Sequence, residues 1–256
     1  MYRLGFLAGV VGLSALAAAP ARAGLVSFPY SNDFSTSVSD FVENADAHWS
    51  LNTGTGVYND TIAGSGTSSS TMVQATALGG PAATATSFRM QTTFRATNFG
   101  GDAANTVGFA ALGFDDNSTD AAGTFYLADV KRDGRLRLYE INGTGMLSDS
   151  INFAGGALAT GVDYTLTLDA TYVGSSVKLD LTLTNGTQTT AITFTDATAL
   201  TGQYFGMRNR ANSSGGVNVN YDSFAITAVP EPASLLALPA AAVLLGIRRR
   251  RHAVAL

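Results

Sequence analysis

Apolar and polar residues alternate along most of the chain from about residue 88 to residue 226, the pattern of strands with one face in a core. Phe88, Met90, Thr92 and Phe94 fall on one side of such a strand, and Arg89, Gln91, Thr93 and Arg95 on the other. The period recurs in Val107-Phe109-Ala111, Leu136-Leu138, Tyr164-Leu166-Leu168, Val177-Leu179-Leu181-Leu183, Ile192-Phe194, Phe205-Met207 and Val217-Val219-Tyr221. Asp133-Gly134 joins a strand over Thr124–Lys131 to one over Arg135–Ile141, and Asn185-Gly186 joins Val177–Thr184 to Thr189–Thr195; both dipeptides suit tight type I′ hairpins. No apolar 3.6 period persists for three turns in this region. The pattern predicts an all-β protein, about ten to twelve antiparallel strands packed as a two-sheet sandwich.

Both ends depart from this pattern. Arg3 supplies a basic flank, Leu4 to Ala19 an apolar run, and Ala21-Arg22-Ala23 a small-x-small cleavage site before Gly24, so residues 1–23 read as a signal peptide. An uncleaved N-terminal anchor is the alternative. At the other end, Val229-Pro230-Glu231-Pro232 precedes an apolar run from Ala233 to Ile247 and then Arg248, Arg249, Arg250 and Arg251. That run of about 15 residues is short of the roughly 20 that cross a bilayer comfortably, but the arginines can snorkel and would hold the C-terminus in the cytoplasm. Three segments are therefore expected: 1–23, a domain over 24–228, and 229–256.

The last segment resembles the PEP-CTERM sorting domain of Gram-negative bacteria, with Pro230, Glu231 and Pro232 at its motif. The resemblance implies export by the Sec machinery, a transient stay of the C-terminal helix in the inner membrane, and processing by an exosortase. It also implies delivery to the cell envelope, extracellular surface or exopolysaccharide, or lasting anchorage where the tail is retained.

Composition narrows what the central domain binds. Between residues 24 and 228 there are nine basic and eighteen acidic residues, a formal charge of −9. Such a surface repels phosphate backbones, so no nucleic acid partner is expected. The chain has no cysteine, so an exported form has no disulfide framework and relies on its core or on bound ions.

Within the domain, the segment Thr124 to Ile141, TFYLADVKRDGRLRLYEI, is similar to the central hairpin of concanavalin A-like (laminin-G-like) jelly rolls. Tyr164 to Asp169, Val177 to Leu181, Gly202 to Arg208 and Tyr221 to Ile226 follow in the order that family uses for its last strands. The resemblance implies that the closing strand pairs beside the N-terminal one, here Asn32-Asp33-Phe34.

That family includes enzymes and lectins, and an enzyme of this fold carries a catalytic constellation. Laminarinase-type hydrolases need carboxylates at alternate strand positions, as in Glu-x-Asp-x-x-Glu, to flank the scissile bond. The three glutamates here, Glu43, Glu140 and Glu231, show no such spacing. His48 has no Ser/Asp constellation around it, and a Gly-x-Ser-x-Gly elbow is absent. No catalytic residue is expected, and a secreted glycan-active hydrolase stays as an alternative. Carbohydrate binding asks for aromatic rings against sugar faces and planar donors for hydroxyls. With Leu136 and Leu138 in the core, Arg135, Arg137 and Tyr139 share the opposite face. Arg89, Gln91 and Arg95 do so on a second strand, and Tyr204, Arg208 and Arg210 on a third. These residues equally suit solvated outer faces, as in a structural or adhesive surface protein without sugar specificity. Trp49 reads as core or edge packing rather than a sugar platform, and His48 as exposed. Asp115, Asp116, Asn117 and Asp120 gather hard oxygen donors in one run, the candidate calcium loop, though an acidic turn explains them equally well. No organic cofactor is expected.

Overall fold

The computed structural model describes residues 25–43, 48–64, 66–78, 85–111, 124–141, 143, 145–212 and 215–229. The signal-peptide site at Ala21 and Ala23, the calcium candidates Asp115, Asp116, Asn117 and Asp120, and the sorting residues Pro230 to Pro232 and Arg248 to Arg251 lie outside them. Among the described residues, no helix is long and apolar enough to cross a membrane.

The described residues form fifteen strands: β1 (Tyr30–Asn32), β2 (Val42–Glu43), β3 (Trp49–Asn52), β4 (Val57–Ile62), β5 (Thr67–Gln74), β6 (Phe88–Asn98), β7 (Thr106–Ala111), β8 (Phe125–Lys131), β9 (Arg135–Ile141), β10 (Gly145–Asn152), β11 (Asp163–Val173), β12 (Ser176–Thr184), β13 (Thr189–Asp196), β14 (Tyr204–Ala211) and β15 (Val217–Ala228). The excess over the expected number comes from short N-terminal strands whose period is too brief to read. All strand pairs are antiparallel, in a seven-stranded sheet ordered β10-β9-β8-β7-β14-β5-β2 and an eight-stranded sheet ordered β13-β12-β11-β6-β15-β4-β3, with β1 also on β15.

The twelve residues of β15 explain that last arrangement. Its first half pairs with β4 (Val217↔Ile62), its second half with β1 (Asn32↔Phe224), and β6 runs along its other edge. The closing strand thus lies beside the N-terminal one, as the jelly-roll likeness implies, but that strand is Tyr30–Asn32 and ends before Asp33 and Phe34, the latter at a φ of 57°.

The alternation places the core as expected. Phe88, Met90, Thr92 and Phe94 are fully buried, as are Leu179, Leu181 and Leu183 of β12 and Phe205 and Met207 of β14. Each such Leu or Phe contributes about 1.5–3 kcal/mol by leaving water. Trp49 is buried, stacked on Tyr221 at 5.6 Å and close to Tyr58 at 4.9 Å, so it packs the core. His48 beside it is half-buried rather than exposed, and its backbone carbonyl accepts from Thr61 N–H, which holds it against β4.

The two hairpins exist, but neither has the type I′ geometry, which needs positive φ at both central residues. In the β8–β9 turn only Gly134 has it (φ 90°), and Gly134 N–H donates to Lys131 O at 2.9 Å, a turn closed by a left-handed glycine. Between β12 and β13 the pairing of Thr184 with Thr189 leaves a longer loop. There Asn185 Oδ1 accepts from the amides of Thr187 and Gln188, so asparagine side-chain bonding replaces the tight turn.

Candidate functional site

The outer face of the seven-stranded sheet is organised in rungs that cross the strands. One rung runs Arg137 (β9), Asp129 (β8), Gly108 (β7), Arg208 (β14), Ser70 (β5). The parallel rung two residues along runs Tyr139, Leu127, Ala110, Gly206, Met72, and then Val42 on β2. The first is charged and the second apolar, because the outward positions of each strand change character along its length.

A cleft of about 190 Å³ lies where the rungs meet, lined by Leu127, Asp129, Arg137, Tyr139, Ile141, Arg208 and Arg210. Two glycines keep side chains off the sheet beside it. A Cβ on Gly108 would stand 2.5 Å from the Asp129 Cβ, and one on Gly206 would stand 1.9 Å from the Thr71 carbonyl oxygen and 2.7 Å from Met72 Sδ.

At the polar end Arg137 donates through Nε and Nη2 to the two carboxylate oxygens of Asp129 at 2.8 and 2.7 Å, the bidentate geometry of an ionised pair. Its Nη1 donates to the Tyr139 hydroxyl at 3.0 Å, and its guanidinium carbon lies 4.9 Å from that ring's centroid. Asp129 is withdrawn from solvent. Burial raises its pKa above the ordinary carboxylate value, and the charges of Arg137, Arg208 and Lys131 pull against that rise. Burial also works against the Arg137 charge, but Asp129 outweighs it and the net shift is upward. Arg208 is buried and donates to Ser68 Oγ at 2.8 Å, whereas Arg210 is exposed. At the apolar end Met72, Phe125, Leu127 and Tyr204 form a buried cluster, with Val42, Tyr139 and Ile141 partly buried against it.

Of the sequence candidates, Arg137, Tyr139, Arg208 and Arg210 therefore converge although they come from strands some 70 residues apart. Tyr204 belongs to the apolar cluster. Arg135 shares the face but turns back to Asp133 at 3.5 Å, so it does not line the cleft. Arg89, Gln91 and Arg95 sit on the other sheet, where Arg89 pairs with Asp169 and Arg95 with Asp163. Asp129, Gly108 and Gly206 escaped sequence reasoning. The available signal was β8 itself: Phe125 to Val130 is buried at every position instead of alternately, which marks a strand covered on both faces.

A second polar group lies inside the sandwich behind β14. Asn209 Nδ2 donates to Asp60 Oδ2 at 2.6 Å, and the Tyr221 hydroxyl donates to Asn209 Oδ1 at 2.6 Å. Asp60 Oδ1, Ser69 Oγ and Trp49 Nε1 are buried with no hydrogen-bond partner among the described residues, though Ser69 is near enough to lower the Asp60 pKa. Burial dominates and raises that pKa to about 6. Among the described residues, no group of three or more His, Asp or Glu side chains is placed to hold a metal ion.

No family model and no curated protein matches the chain. Solved structures do resemble it. The Lotus tetragonolobus seed lectin superposes with a TM-score of 0.55 at 15% identity, covering 80% of this chain and 100% of that one. The Emp47p carbohydrate recognition domain gives 0.55 at 14% identity, covering 78% of this chain and 96% of its own. A bifunctional GH43-CE protein of Bacteroides eggerthii gives 0.52 at 14% identity, covering 78% of this chain but 27% of that larger one. At these identities the likeness is one of fold, and the fold is the lectin-like, concanavalin A-like jelly roll.

Proposed function

We propose that this is an exported envelope protein, without catalytic activity, that binds glycan in the cleft on the outer face of its seven-stranded sheet. The observation carrying this reading is the convergence of Arg137, Tyr139, Arg208 and Arg210 beside Leu127 and Ile141. A sugar ring has an apolar face for Tyr139 and the leucine–isoleucine wall, and hydroxyls for the guanidinium donors. The lectin-like neighbours support the reading at the level of fold.

In this reading residues 1–23 direct translocation, residues 24–228 form the binding domain, and residues 229–256 are the sorting segment on which exosortase acts, with the exopolysaccharide or another surface glycan as partner. Calcium at Asp115, Asp116, Asn117 and Asp120 belongs to the same proposal. Intact mass and terminal sequencing of envelope and culture fractions test export: a species beginning at Gly24 and lacking the arginine tail is expected. A glycan array tests binding, with saturable binding abolished by Arg137→Ala or Tyr139→Ala as the expected result. Absence of any sugar binding favours the structural or adhesive role, and product release from a polysaccharide panel favours a hydrolase.

A further inference from the structure

Resting on that glycan reading, we infer that the cleft selects sugars carrying an anionic group, a carboxylate or a sulfate ester, over neutral ones. The distribution of charge carries this. Of the nine basic residues between 24 and 228, Arg89, Arg95 and Lys178 lie on the eight-stranded sheet, and each is paired with an aspartate at 2.6–2.8 Å. The other six lie on β8, β9, β14 or the β8–β9 turn of the seven-stranded sheet.

Three of those six, Arg137, Arg208 and Arg210, line the cleft, and among the described lining residues the carboxylate is Asp129. That carboxylate is set behind its partner: its side chain is 2% exposed, against 20% for Arg137, while Arg210 is exposed. The cleft therefore presents positive charge to its opening on a domain whose overall charge is −9. Asp129 and Tyr139 take up the Arg137 fork and Arg208 is buried, so the guanidinium that meets a ligand first is that of exposed Arg210. A carboxylate or sulfate matches the planar fork of arginine in shape as well as charge. With Tyr139 against the ring, the anionic substituent would sit toward Arg210.

Calorimetric titration of the full chain with three trisaccharides of matched linkage, one uronate, one sulfated and one neutral, tests this. At least one anionic ligand should bind about tenfold or more tighter than the neutral one, a difference of about 1.4 kcal/mol. The advantage should shrink as ionic strength rises, since exposed charges are screened. Arg210→Gln, an exposed change checked for intact fold by its thermal midpoint, should lose most of the advantage, while Lys178→Gln on the opposite sheet should keep it. The uronate and sulfate arms identify which oxyanion is preferred, and a response to either supports the inference. Equal binding of the neutral trisaccharide overturns the selectivity and leaves glycan binding standing. Anionic binding untouched by Arg210→Gln also overturns it, by placing the site elsewhere. Binding of none of the three removes both readings.

Discussion

On the eight-stranded sheet Arg89 forks onto Asp169 across a strand pair, at 2.6 and 2.7 Å, and on the seven-stranded sheet Arg137 does the same to Asp129. The contacts are nearly identical, but the settings are not. Arg89 keeps a side-chain exposure of 35% and its aspartate 18%, so water shares in solvating both. Asp129 is flanked by Gly108 and the apolar rung of Leu127 and Met72, and its solvation comes from arginine. The neighbours of a pair, more than its distances, decide whether it is an ornament of the surface or a part on which the local structure depends.

Removing one partner from each pair is the sharpest way to break this comparison. Arg137→Ala leaves a buried carboxylate unpaired and should cost about 3 kcal/mol in denaturant unfolding at neutral pH. Filling the sheet beside the cleft should cost nearly as much: Gly206→Ala drives a methyl group into the Thr71 carbonyl and should lose about 2–3 kcal/mol by the same measurement.

The interior carboxylate Asp60 gives a pH test. Its folded pKa of about 6 stands above its ordinary 3.8, so its contribution to stability is fully present below about pH 4 and is lost as pH rises through 6. Asp60→Asn should therefore be more stable relative to the parent at pH 7.5 than at pH 4, by on the order of 2 kcal/mol, read from unfolding curves at the two pH values. The smallest effect belongs to the exposed pair. Arg89→Ala should change stability by less than about 1 kcal/mol, and a loss as large as that of Arg137→Ala would erase the contrast between the sheets.

The sandwich and its longer strands were legible because period-two alternation reports directly which side of a strand meets a core, as in Phe88 to Phe94 and Val177 to Leu183. The outward placement of Arg137, Tyr139 and Arg208 followed from the same rule. What alternation cannot report is which outward residues meet across strands. Arg137 and Arg208 come together through the register of β9, β8, β7 and β14, set by non-local pairing. For the same reason Arg135, Arg89 and Arg95 looked equivalent to them and were not. Asp129 was hidden within an apolar strand, and Gly108 and Gly206 matter through side chains they lack. The polar network of Asp60, Asn209 and Tyr221 joins β4 to the consecutive strands β14 and β15, with Asp60 149 residues before Asn209. Its residues occupy core-facing positions, where each by itself looks like a break in the pattern.

The position of β15 has a consequence in time. It is the last strand described, yet it sits inside the eight-stranded sheet, and β1, β4 and β6 all wait for it. Tyr30 meets Ile226 only when nearly the whole domain has been made. At about 5–20 residues per second the interval between those two residues is on the order of ten seconds or more, during which the early strands lack a central partner. The sheet can close only once β15 has been made, so the finished fold itself records that this strand has arrived.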